Sequence, residues 1–383
     1  MKDQTALMTK DSANERLYLA LELSKKTWKL GFSNGRGRAR IRSIEAADLQ
    51  AVGKEIEQTK RHFRLEPSTL TVSCYEAGRE GFWVHRALTE KGIQNVVVDA
   101  ASIDVQRRKR AKTDRLDAES LVRKLVQYWR GDHDVWSVVR VPSPEAEDAR
   151  QLHRDIGILQ RELSQHRMRI QSLLYTQGIV MAVTAKAMRD LDQVRCWNGQ
   201  PLPADLRQRI GREYARLQGA QQDLLALRKE QQARLKQQQT PAMEKIRLLQ
   251  QLCSIANGSS WVFVMELFGW RKFANRREVA GAVGLAPMPY QSGDSAHDQG
   301  ISRAGNRRVR AMAVEIAWSW LRYQPGSDLS RWYQRRFGSG GKRMRRIGIV
   351  AMARRLMIDL WRYLEHGIIP AGAVLKRSTA AAQ

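Results

Sequence analysis

Four carboxylates stand out by their surroundings. Glu22 interrupts an otherwise apolar run, Leu17-Tyr18-Leu19-Ala20-Leu21-Glu22-Leu23. A lone ionised carboxylate in a buried strand is costly unless a cation or another partner satisfies it. Glu76 closes a second such stretch, Thr71-Val72-Ser73-Cys74-Tyr75, and Gly78 lets the chain turn behind it. Asp114 and Asp117 lie three residues apart at the start of a predicted helix, so they share a face, near a terminus whose dipole suits negative charge. Taken singly, Asp114 reads as an N-cap, Asp117 as solvated helix surface and Glu76 as a cap. As an ordered set they are hard oxygen ligands, of the kind that suits Mg²⁺. Arg107-Arg108-Lys109-Arg110, Lys112 and Arg115 run beside the aspartates and could hold a phosphate backbone.

The elements that would carry these residues follow from hydrophobic spacing. Leu17–Leu23 and Trp28–Ser33 read as strands, and Arg38–Arg42 alternates as a half-exposed strand does, with Asn34-Gly35 as the turn before it. Leu49, Val52 and Ile56 mark a helix over Ala46–His62. A strand at Thr69–Tyr75, a helix at Trp83–Thr89, a strand at Gly92–Asp99 and a helix at Asp114–Tyr128 complete the order βββαβαβα, a mixed α/β domain over residues 16–131.

A second region, 143–247, is helical. Leu152, Ile156, Leu159, Leu163, His166, Ile170 and Leu173 form a heptad seam with one polar member, His166, which reads as a register-setting residue. Trp197-Asn198-Gly199-Gln200-Pro201-Leu202-Pro203 breaks the chain before a second helix over Ala204–Gln238, so a long helical hairpin or coiled coil is expected. The third region, 248–374, is expected to be mainly helical, with Gly- and Pro-rich punctuation at Gly281–Pro289 and Ser292–Gly305. A polar loop is expected at Ile255–Ser259. The last helix, Ile347–Glu365, would follow a basic run containing Lys342, Arg343, Arg345 and Arg346, which are nucleic-acid-binding candidates. Residues 375–383 read as a disordered tail.

Composition narrows the class. In 383 residues, 66 Lys and Arg against 39 Asp and Glu leave a net charge of +27, which points to a polyanionic partner. With 43% hydrophobic residues the chain is no disordered basic tail. Cys74, Cys196 and Cys253 lack metal-ligand spacing and fit a reducing, cytoplasmic compartment. No apolar run approaches the roughly 18 residues of a membrane helix, so membrane and secreted classes are excluded.

The acidic residues, on the first strand, the fourth strand and a later helix, resemble the arrangement of the RNase H-like fold, in which such carboxylates converge on two Mg²⁺ ions. Lys112-Thr113-Asp114-Arg115-Leu116-Asp117-Ala118 resembles a K-T-D-x-x-D-A signature of bacterial transposases. Gly284-Leu285-Ala286-Pro287, Ser292-Gly293, Ile301-Ser302-Arg303-Ala304-Gly305-Asn306 with Arg310, and Ala351-Met352-Ala353-Arg354-Arg355-Leu356 agree with it. The chain is similar, from about residue 16 to 374, to the insertion-sequence one-ten family of transposases, which includes the Piv-type invertases. The resemblance implies a RuvC-like DEDD domain, a coiled coil and a C-terminal domain bearing an essential serine. Glu22, Glu76, Asp114 and Asp117 would be the Mg²⁺-binding tetrad, with Glu22 where the family usually has Asp. Ser292 would be the nucleophile, with Ser295 a rival position. His297, Arg303, Arg307 and Arg308 are candidates to hold phosphate. Only Gly258 remains of a turn with which relatives grip a DNA backbone. The family further implies donor and target duplex DNA as substrates, a structured non-coding RNA that pairs with both, and a homodimer or homotetramer in the bacterial nucleoid. Two other functions stay open: a RuvC-like junction-resolving nuclease, which needs no serine domain, and a non-enzymatic nucleic-acid-binding protein, which needs no carboxylates.

Overall fold

A computed structural model describes residues 15–103, 114–292 and 295–376. Arg107, Arg108, Lys109, Arg110 and Lys112 lie outside the described residues, as does the expected tail from 377 onward. Two compact units divide between Val141 and Pro142.

The first unit is a five-stranded mixed sheet flanked by helices. Its strands are β1 (Arg16–Leu23), β2 (Thr27–Ser33), β3 (Arg40–Glu45), β4 (Leu70–Glu76) and β5 (Gln94–Val98), in the order β3-β2-β1-β4-β5. The β1–β2 and β2–β3 pairs are antiparallel, while β1–β4 and β4–β5 are parallel. Alternation assigns the two faces. Leu17, Leu19, Leu21, Trp28, Leu30 and Phe32 form one core with α1 (Leu49–His62) and α2 (Trp83–Glu90). Tyr18, Ala20, Val72 and Cys74 form the other with α3 (Asp114–Trp129).

Three boundaries differ from expectation for local reasons. Strand β3 begins at Arg40 because Gly35 and Gly37 both take left-handed backbone and Asn34 Oδ1 accepts from Arg36 N (3.0 Å), lengthening the turn. Helix α1 begins at Leu49 because Ala47 has φ of 66° and Asp48 caps the amides of Gln50 and Ala51 (3.0 and 2.8 Å). The chain does not leave the sheet at Gly131. It runs on along β5, with Asp99 N bonded to Ser137 O (2.9 Å), Val139 N to Val97 O (2.7 Å), and Trp136 buried.

The second unit is mostly helical. Helices α4 (Gln151–Tyr175) and α5 (Ala204–Gln237) pack antiparallel, Leu163 near Leu217 and Ile170 near Ile210. The expected seam holds at Leu152, Ile156, Leu163 and Ile170, then passes to Leu174, which is fully buried. His166 sits on it and donates from Nδ1 to Glu213 Oε1 (2.7 Å), which Arg169 reaches as well (3.0 Å), while Arg216 donates to Glu213 Oε2 (2.9 Å). The His166 hydrogen bond outweighs the opposing effect of burial and, with both arginines, holds the Glu213 carboxyl at about 2.

Helices α6 (Pro241–Gln251), α7 (Asn257–Phe263) and α8 (Arg276–Val283) follow. The expected polar loop at Ile255–Ser259 is instead the start of α7: Ile255 is buried, and Ser259 Oγ bonds the backbone N–H and C=O of Ala256 (both 3.1 Å). The expected punctuation at Gly281–Gly305 contains an antiparallel hairpin, β6 (Pro287–Ser292) and β7 (Ser295–Ile301). Helices α9 (Arg307–Tyr323), α10 (Asp328–Tyr333) and α11 (Lys342–His366) complete the unit, with Trp320, Met352 and Leu356 in one core. Helix α11 starts at Lys342, not Ile347, so the basic run forms its first turns. Leu375 and Lys376, the first residues of the expected tail, pair with Leu252 and Gln251.

Candidate functional site

The acidic residues of the first unit gather by strand parity. Leu21 of β1 stands opposite Tyr75 of β4, so the next residues along these parallel strands, Glu22 and Glu76, face each other in register at the strands' carboxyl ends. Both share parity with Ala20 and Cys74 and thus lie on the α3 face. Helix α3 runs antiparallel to β1. Near its end, Trp129 lies beneath the Arg16 guanidinium (5.3 Å), at the start of β1. Eleven residues earlier the Ala118 carbonyl presses against Gly31, the partner of Ala20, so closely that a side chain there would approach it to 2.8 Å. The first turn, with exposed Asp114 and half-buried Asp117, therefore points toward the strand ends that carry Glu22 and Glu76. All four candidates thus share one face and one end of the sheet. Among the described residues, no three His, Cys, Asp or Glu side chains gather closely enough to hold a metal ion. Lys29, opposite Glu22 on the same face, donates to Ser43 Oγ (2.7 Å). Burial and the nearby Glu76 charge push the Cys74 thiol well up, so it stays protonated.

In the second unit, Ser292 and Ser295 pair as the last residue of one strand of a hairpin and the first of the other. The root of this hairpin is a pair of interlocked glycine turns. Ser302 N bonds Ala286 O (2.9 Å), Arg303 N bonds Gly284 O (3.2 Å) and Asn306 N bonds Ala282 O (2.9 Å). Gly284 (φ 71°) has left-handed backbone and sits where a Cβ would fall 1.7 Å from Ala304 O; Gly305 (φ 77°) has the same backbone, and its Cβ would fall 2.2 Å from Ala282 O. Arg310 clamps the root by donating to Val283 O and Ala304 O (both 3.1 Å). Burial, and then the charges of Arg303 and Arg307, lower the Arg310 pKa. Arg303 itself has φ of 56°, a conformation costing about 1 kcal/mol for a residue with a side chain.

Asn306 caps α9 by accepting from Arg308 N and Val309 N (2.9 and 3.2 Å), so Arg307 and Arg308 occupy the first turn of that helix, exposed. Lys342, Arg343, Arg345 and Arg346 are exposed in the first turns of α11. Neither helix has an acidic residue in its first turn. Cations there oppose the helix dipole, whereas bound phosphate would complement both.

Sequence reasoning passed over Glu266. It lies in Trp261-Val262-Phe263-Val264-Met265-Glu266-Leu267-Phe268, a lone acid in an apolar run, the same signal that marks Glu22. Its side chain is fully buried and receives hydrogen bonds from His153 Nε2 (3.0 Å), Arg154 Nε and Nη2 (2.8 and 2.9 Å) and Asn306 Nδ2 (3.0 Å).

Comparison with known proteins defines the class. The model of the Transposase IS116/IS110/IS902 family matches residues 246–333, which contain the hairpin and its root. The protein y4rJ of Sinorhizobium fredii (strain NBRC 101917 / NGR234), whose name describes a transposase, is 37% identical over 380 residues, 94% of each chain. A second protein of that strain, y4qE, also named as a transposase, is 27% identical over 288 residues, 74% of this chain and 65% of its own. The transposase of insertion sequence element IS1533 from Leptospira borgpetersenii is 26% identical over 173 residues, 45% of this chain and 47% of its own. The chain belongs to the IS116/IS110/IS902 family of transposases.

Proposed function

We propose that this protein is a DNA transposase that cuts and rejoins strands with an acidic tetrad and a serine nucleophile. The observation that carries this reading is the 37% identity extending over 94% of the chain, which takes in both the acidic unit and the serine hairpin. A junction-resolving nuclease needs only the first of these, and a non-enzymatic binder needs neither chemical group. The strand order β3-β2-β1-β4-β5, with β2 antiparallel to its neighbours, supports an RNase H-like, RuvC-like assignment of the first unit.

Glu22, Glu76, Asp114 and Asp117 are the residues that would hold Mg²⁺: their hard oxygens are of the type that suits it and share one face and one end of the sheet, although their side chains are not gathered into a ligand set in this structure. Two such ions would supply charge stabilisation to the attacking and leaving oxygens of a phosphodiester. Ser292 Oγ attacks phosphorus, a bond to one deoxyribose oxygen breaks, and that oxygen leaves with a proton as the serine gives up its own. The resulting phosphoserine conserves the ester bond, so reversal onto a second strand rejoins DNA without an energy source. Arg303, Arg307 and Arg308 beside the hairpin root, Lys342, Arg343, Arg345 and Arg346 on α11, and Arg107, Arg108, Lys109, Arg110 and Lys112 ahead of α3 hold backbone phosphates. The net charge of +27 supports more than one polyanionic partner: donor duplex, target duplex and a structured non-coding guide RNA. The active assembly is a homodimer or homotetramer.

The test is recombination of a plasmid carrying the element's ends and flanking non-coding DNA. The parent should form a covalent protein–DNA adduct, and Ser292→Ala should not, while Ser295→Ala keeps it. Cleavage that persists in Ser292→Ala would favour the nuclease, and unchanged function in Asp114→Asn would favour the binder.

A further inference from the structure

We infer that Glu266 is a positioning residue that sets the aim of the serine hairpin through Asn306, a step that rests on the reading of Ser292 as nucleophile. The inference begins with an oddity of packing. Glu266 is a buried carboxylate within the apolar core of the second unit, on the wide π-helical turn Val264–Phe268, which closes with Gly269 N to Val264 O (2.7 Å). Such turns are uncommon and concentrate at functional sites. Replacing a buried ion network by apolar side chains is often neutral or stabilising, so core stability alone gives little reason for one here.

Its contacts suggest another role. Arg154 grips it in two-pronged fashion and His153 adds a third donor, which fixes the carboxylate against α4. Burial pushes the carboxyl up, but the hydrogen bonds from His153, Arg154 and Asn306 outweigh that and keep it ionised. The fourth donor is the Asn306 amide. Asn306 does three things at once: its Nδ2 reaches Glu266, its Oδ1 caps α9, and its backbone N–H bonds Ala282 O at the hairpin root. From that root the ladder runs directly to Ser292 and Ser295, about five residues or roughly 16 Å further out. A small rotation at the root is therefore magnified at the tip, where nucleophilic attack requires alignment to within a fraction of an ångström.

Asn306→Asp isolates this link. Aspartate caps a helix as well as asparagine, but its second oxygen faces Glu266 at hydrogen-bond distance and repels it. The variant should bind element-end DNA within about threefold of the parent, while the single-turnover rate of protein–DNA adduct formation falls about tenfold or more. Adding Glu266→Gln returns one donor and one negative charge to the pair and should restore most of the lost rate. Asn306→Ser, which keeps the cap but is too short to reach Glu266, provides the same reading should the aspartate variant misfold. It too should slow adduct formation without weakening binding. Adduct formation at the parental rate in folded Asn306→Asp or Asn306→Ser would overturn the inference and leave the function intact, as would a double variant no faster than Asn306→Asp. A parent that forms no adduct at all would overturn the serine mechanism and this inference with it.

Discussion

At the residue scale, the proposed mechanism would divide the work between metal chemistry at the carboxylates and covalent chemistry at the serine. Asp117 is half-buried in the first turn of α3, and its amide isostere should fit the same space. Asp117→Asn is expected to lower strand cleavage and rejoining by about 100-fold or more, with unfolding free energy changed by only about 1 kcal/mol from the lost helix-terminus charge. Plasmid recombination and denaturant titration read the two effects. Glu22 asks a sharper question, because the family's usual residue is one methylene shorter. Glu22→Asp should retain activity and Glu22→Gln should abolish it in the same assay, if the proposed ligand is the carboxylate and not the arm that carries it. Equal loss in both variants would show instead that the reach of the side chain is what the site requires. Glu22 was visible in the sequence because it is the one charged residue in a short, otherwise apolar run. Glu266 carries the same signature but was not, because its partners lie 113, 112 and 40 residues away and no local pattern announces them.

At the element scale, the first unit was readable because strand alternation and helical spacing are local; the starts of β3 and α1 differ from expectation at left-handed or capped residues, and the run past Gly131 along β5 rests on long-range backbone bonds that no local pattern announces. The serine hairpin was not. Pro287, Pro289, Gly293, Gly300 and Gly305 all read as breakers. A two-stranded ribbon leaves each strand one open edge where proline is tolerated, and the ladder shifts register between Pro287 and Pro289. The glycines at its root now acquire a structural reason. Gly305→Ala should destabilise the second unit by roughly 2–4 kcal/mol, from left-handed backbone together with the overlap on Ala282 O. Gly281→Ala, in open space on α8, should be neutral or stabilise by about 0.5–1 kcal/mol. Thermal unfolding of the two variants separates packing from composition. The α4–α5 hairpin makes a prediction of its own. Glu213 titrates at about 2 in the folded chain against 4.5 for an unperturbed carboxyl. A depressed carboxyl contributes stability that is complete above the unfolded value and is lost as pH falls toward the folded one. Glu213→Gln should therefore lie furthest below the parent in stability above pH 4.5, and the gap should close as pH falls toward 2. A gap independent of pH over that window would mean the cluster acts by shape and not by charge.

At the scale of the whole molecule, charge is the dominant property. An excess of 27 positive charges is spread over a chain in which, among the described residues, no helix is long and apolar enough to cross a membrane. Self-repulsion of that size works against a compact state unless counterions or a polyanion offset it. Part of the excess is placed where the fold itself disfavours it. The first turns of α11 carry Lys342, Arg343, Arg345 and Arg346 at the positive end of the helix dipole, exposed to solvent. Each such placement costs the isolated helix a few tenths of a kcal/mol, and a bound phosphate reverses the sign by meeting dipole and side chains together. If these four residues hold backbone phosphates, DNA binding must release counterions in proportion. Each phosphate contact contributes about 0.9 to the slope of log affinity against log salt. Replacing all four by glutamine should thus flatten that slope by roughly 3.6 and weaken binding about equally for matched and unrelated duplexes, because backbone contacts carry no sequence information. The measurement is fluorescence anisotropy of labelled duplex over a salt series, parent beside variant. An unchanged slope would place the phosphates elsewhere and leave the α11 cations as surface charge alone. A loss confined to the element's own ends would make them readers of sequence or shape instead of clamps on the backbone.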